Sequence, residues 1–112
     1  MNTQIELQSI IQEMHEASKR LDKASKNLYQ LAKEKAETER IYRMELAKEI
    51  TRLRGEGTPA TLISDLARGK VAELKFKRDL AHDMYRSALS SLEAIQTQVS
   101  VLQTISKYQS DI

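Results

Sequence analysis

The chain has no cysteine and no tryptophan, three glycines, one proline, and a single phenylalanine beside four tyrosines in 112 residues. Without cysteine, disulfide staples and thiolate metal sites are excluded, and the composition fits a reducing compartment. So few aromatics leave little large apolar surface to bury, and a thin, elongated core of Leu, Ile, Ala and Met is expected. No segment approaches the roughly 20 apolar residues that span a bilayer. The opening MNTQIELQSI lacks the charged and apolar regions of a secretion signal. A cytoplasmic protein without membrane contact is therefore expected.

What is present is charge and helical periodicity: 30% Asp, Glu, Lys and Arg, with 40% hydrophobic residues. Between residues 3 and 54 there is neither glycine nor proline, and Leu7, Ile10, Met14, Ala17, Leu21, Ala24, Leu28 and Leu31 alternate steps of three and four. That spacing is a heptad seam. At Lys35 and Thr38 the apolar register fails and resumes one residue later through Ala32, Ala36, Leu46, Ile50 and Leu53, which reads as a stutter. Residues 70–108 repeat the pattern with Ala81, Tyr85, Ala88, Leu92, Ile95, Val99 and Leu102. Helices this long need a partner along their length.

The simplest fold is all-α: a single domain over residues 1–112, built as a long antiparallel helical hairpin, or coiled coil, with a short helix at the turn. Counting outward from the turn sets Leu31 near Ala94 or Ile95 and Ala17 near Tyr108, with the first ten or so residues overhanging. All three glycines and the proline fall in the connection, residues 55–69. Gly55 is placed to end the first helix in a left-handed conformation. Thr58 and Pro59 read as the N-cap and first residue of a short helix that Gly69 stops. Its residues Leu62, Ile63 and Leu66 are expected to plug the open end of the hairpin.

The net charge of +2 is unevenly spread. Residues 1–47 are neutral, 48–78 carry +4 and 79–112 carry −2. In a hairpin the excess gathers at the turn end, where Arg52, Arg54, Arg68, Lys70, Lys75, Lys77 and Arg78 form a candidate phosphate-contacting, nucleic-acid-binding set. From Ser87 onward only Glu93, Lys107 and Asp111 are charged, while Leu89, Val101 and Ile105 lie outside the seam. Those three form a candidate oligomer interface, through which two hairpins would associate into a helical bundle, a dimer being the first expectation.

Nothing in the sequence points to catalysis. His15 and His82 lack further ligands at metal-binding spacing, and Gly55-Glu56-Gly57 has neither the lysine nor the strand of a phosphate-binding loop. No enzyme, metal or cofactor is expected.

The stretches QLAKEKAETERIYRMELAKEI, EGTPATLISDLARGKVAELKFKRDLA and MYRSALSSLEAIQTQVSVLQTI resemble small helical proteins encoded in the early gene clusters of tailed phages and prophages of Gram-positive bacteria. That resemblance implies a role near DNA replication or recombination in the host cytoplasm, and it carries over no functional residue. Two functions follow as expectations. One is a non-enzymatic helical interaction and assembly protein, forming a homo-oligomer and binding a protein partner. The other is a nucleic-acid-binding hairpin that contacts phosphates through its basic turn end.

Overall fold

The computed structural model describes residues 3–110, and the side chains of 6–109. Residues 1 and 2, the outermost of the expected overhang, lie outside it. Three helices account for nearly all of the described chain: α1 (Thr3–Gly55), α2 (Ala60–Lys70) and α3 (Ala72–Ser110). Among the described residues there is no strand. The fold is a helical hairpin, whose chain divides into two units: residues 30–85, and residues 1–29 with 86–112.

The unit of residues 30–85 contains the reversal. The N–H of Thr58 donates to the carbonyl of Leu53 at 3.1 Å and the N–H of Gly57 to that of Arg54 at 3.1 Å. This is the Schellman arrangement, which satisfies two carbonyls left open at a helix end and requires a left-handed residue between them. That residue is Gly57, at φ 78°. The expectation of Gly55 is thus corrected: Gly55 is the last residue of α1 itself. Thr58 does not cap α2 either. Pro59 holds the N-cap position with ψ 133° and no side-chain cap bond, its ring carrying no hydrogen-bond acceptor.

Past the turn, α2 runs back beside α1 instead of plugging its end. Ile63 and Ala67 are buried against Leu53, with Leu46 and Ile50 packed on the same cluster. Leu62 and Leu66 are 50% and 52% exposed, so only Ile63 of the expected apolar plug faces inward. Gly69 lies within α2 and stops nothing. The irregularity falls at the buried Val71 (φ −105°, ψ 17°), where the i→i−4 ladder still passes through: Val71 N–H to Ala67 O at 3.2 Å and Lys75 N–H to Val71 O at 3.0 Å. α2 and α3 meet end to end at Val71 and keep one phase across it: Ile63, Ala67, Val71, Leu74, Arg78 and Ala81 are all buried or half-buried at three-and-four spacing.

This continuity moves the register. Because α2 already belongs to the return arm, pairing is centred near residue 60, nearer the turn than the middle of the 55–69 connection. Lys35 accordingly meets Tyr85, with its ammonium 4.8 Å from the ring centroid. The pairing expected from the sequence sets Lys35 some five residues further along α3. The seam passes through Lys35 and Thr38, both half-buried, while Ala36 is exposed; the expected shift to the Leu46, Ile50 and Leu53 register comes later, after Tyr42. A lysine can line a seam with its alkyl stem while its charge finds the ring. The Thr38 hydroxyl is satisfied by the carbonyls of Glu34 at 2.9 Å and Lys35 at 3.1 Å.

In the other unit the seam is as expected. Ala17 and Leu102 are buried, and Met14, Leu21, Ala24, Leu28, Leu92, Ile95 and Val99 are half-buried. Arg20 Nη2 donates to Gln98 Oε1 at 2.8 Å. Tyr108, expected beside Ala17, is 75% exposed, since the register of this unit also falls short of the expected one.

Candidate interaction surfaces

The seven basic residues assigned to the turn end all lie in the unit of residues 30–85, but they do not form one free cationic patch. Arg52, in the last turn of α1, pairs with Glu49 at 2.7 Å and Glu56 at 2.8 Å. These bonds hold Glu49 below the usual carboxylate range and push the Arg52 guanidinium up. Lys75 pairs with Asp79 at 3.3 Å, and Arg68 stands 4.0 Å from Asp65.

Arg78 is the most committed of the seven. Its side chain is only 25% exposed, donates to Asp79 Oδ1 at 2.9 Å, reaches Glu39 at 3.4 Å and lies over the Tyr42 ring at 4.4 Å. Hydrogen bonding by Arg78, and next by Lys75, holds the Asp79 carboxyl below its ordinary range. Glu39 is held low first by the Arg43 guanidinium, with Arg78 contributing. Arg78 therefore joins the two arms and is no docking group. Among the described residues, Arg54, Lys70 and Lys77 make no ion pair within 4.0 Å.

The three residues assigned to an oligomer interface separate as well. Val101 and Ile105 are 52% and 39% exposed and share a shallow groove on α3 with Thr97, Ser100 and Thr104. Leu89 is half-buried and, at 100° per residue, sits about 120–160° round the helix from them. It belongs to another face.

A larger apolar surface was not singled out by the sequence. Leu62, Leu66, Phe76, Leu80 and Met84 are 50%, 52%, 61%, 49% and 46% exposed. Taken on one helical phase, which the ladder through Val71 supports, they fall within a sector of about 80°. Together they present roughly 500 Å² of surface, in two patches with Gly69 and the charged Glu73 between them in the same sector. The signal was in the sequence as i, i+4 pairs (62/66, 76/80, 80/84). Reading Gly69 as a helix stop reset the phase between α2 and α3 and hid it.

Other chemistry is sparse. His15 and His82 are exposed, and among the described residues no group of three or more His, Asp or Glu could hold a metal ion. No described helix is long and apolar enough to cross a membrane. The chain matches no family model, no curated protein and no solved structure.

Proposed function

We propose that the chain is a non-enzymatic helical interaction protein that docks on the apolar face of another helix through the 62–84 stripe of its return arm. The observation that carries this is the exposure of Leu62, Leu66, Phe76, Leu80 and Met84 in one sector of a helix whose opposite side is already packed. A solvent-facing helix normally sets polar residues there. Four of the seven turn-end cations are engaged in ion pairs, which favours docking of protein over contact with nucleic-acid phosphates. The phage resemblance of the sequence gives such a protein a setting, as an accessory of DNA replication or recombination.

Site-specific photo-cross-linking tests the reading. A photoreactive residue at position 80, in cells that make the protein, is expected to yield discrete polypeptide adducts that disappear when Leu62 and Phe76 are changed to Glu. The same group at Tyr29, 73% exposed and outside the stripe, is the control. No adduct at position 80, or equal adducts at both positions, would sink the proposal.

A further inference from the structure

We infer that the occupant of the 62–84 stripe is the same stripe of a second copy of this chain, aligned in parallel. This rests on the reading of the stripe as a docking surface and adds its partner and direction.

The argument is from the charges along the edges. On a single helical phase, Lys70 and Lys77 lie about 50–70° to one side of the stripe, while Asp65 and Asp83 lie about 70° to the other. The stripe thus has a basic edge and an acidic edge. When two copies pair antiparallel, the two-fold axis crosses the helices and brings like edges together: Lys70 and Lys77 face lysines, and Asp65 and Asp83 face aspartates. In a parallel pair the axis runs along the helices and unlike edges meet. Asp65 of one chain then falls beside Lys70 of the other, five residues on, as in parallel coiled coils. The symmetry makes this contact twice.

One group works against the parallel pair. Glu73 lies inside the stripe and meets its own copy at mid-length. Lys70 and Lys77 stand three residues before and four after it without pairing to it within one chain, which leaves both free to turn toward the two Glu73 carboxylates when copies meet. One repulsion at mid-length stands against like charges along both edges of the antiparallel alternative. The area agrees with a self-association surface: about 500 Å² from five side chains, enlarged by Gly69 and the stems of Glu73, Lys70 and Lys77, approaches the roughly 800 Å² per partner of a standard interface.

The test exploits the lack of native cysteine. Thr61→Cys and Ser87→Cys, both at exposed positions, each take one spin label, and like-to-like distances are measured by pulsed electron resonance on protein whose mass is followed by light scattering. The expected result is a dimer with separations under about 25 Å at both positions. An antiparallel pair sets both at about 35–40 Å, from 1.5 Å rise per residue either side of the stripe's centre. Lys70→Asp alone is expected to weaken the dimer about fivefold to tenfold, and Asp65→Lys with Lys70→Asp to restore it.

Long distances at both positions would overturn the parallel alignment. So would a dimer that survives Phe76→Glu with Leu80→Glu. A wild-type monomer at 200 µM would overturn self-pairing altogether. Cross-linked adducts at position 80 of a mass other than the dimer's would then still uphold docking on a different chain, so the two failures are distinguishable.

Discussion

The Arg78 guanidinium lies 4.4 Å from the centroid of the Tyr42 ring, with the carboxylates of Glu39 and Asp79 at 3.4 and 2.9 Å. One side chain on α3 is thereby fixed to α1 by a ring face and a carboxylate at once. Arg78→Ala is expected to lower stability by about 1–2 kcal/mol, from the lost cation–π contact and ion pairs. Arg78→Lys should recover less than half, because an ammonium cannot lie flat on the ring while donating to two carboxylates. Urea unfolding of the three proteins at equal concentration measures both.

The turn makes a prediction about three residues of one type. Gly57 has φ 78°, so Gly57→Ala should cost about 1 kcal/mol. Gly55 and Gly69 are helical with open space where a Cβ would stand. Alanine at either is expected to stabilise by about 0.5–1 kcal/mol. Opposite shifts in thermal midpoint would separate the turn residue from the other two, and a gain at Gly57 would contradict the Schellman assignment.

Burial distinguishes folding from docking. Leu53, 7% exposed in the Ile63 and Ala67 cluster, should cost about 2–3 kcal/mol when changed to Ala. Leu80→Ala, at a site 49% exposed, should change monomer stability by less than about 0.5 kcal/mol. Its effect belongs in the assembly measurement. Thermal melts at low micromolar protein make the comparison.

Acid should loosen the hairpin through identifiable groups. Glu39, Glu49 and Asp79 are each held below their ordinary range by a neighbouring guanidinium: Arg43, Arg52 and Arg78 respectively. A carboxyl depressed in the folded state adds stability above its unfolded pKa, about 4, and loses it as pH falls through the folded value. The melting temperature should be level near neutrality and decline below about pH 4.5. Glu39→Gln with Asp79→Asn should be less stable at pH 7 and show a shallower acid decline. An identical decline in that variant would place the acid sensitivity elsewhere.

The long helices were legible because apolar residues at three-and-four spacing can be satisfied only by a partner seam. Ala17, Ala81 and Leu102 are buried where that pattern sets them. The pattern misled where a polar residue does an apolar residue's work. Lys35 covers the seam with methylenes and rests its charge on Tyr85, and Thr38 bonds back to its own helix, so neither breaks the register. The turn was half legible: a Gly-Glu-Gly-Thr-Pro run announces a reversal, but choosing between its glycines depends on which N–H reaches Leu53 and Arg54, a matter of geometry and not of composition. The 62–84 stripe was missed for a related reason. Gly69 weakens a helix by about 1 kcal/mol without ending it when a buried neighbour such as Ala67 holds the turn in place.

The reversal at residues 56–59 ties α1 to α2, and the ladder passes on through Val71. Within residues 30–85 the two arms are in effect two peptides with complementary faces, tied by four residues. Such a tie adds few contacts of its own; it fixes the concentration each half experiences of the other, in the millimolar range for a short linker. Cut between Gly57 and Thr58, the halves should find one another again as separate chains, with an affinity set by the seam alone.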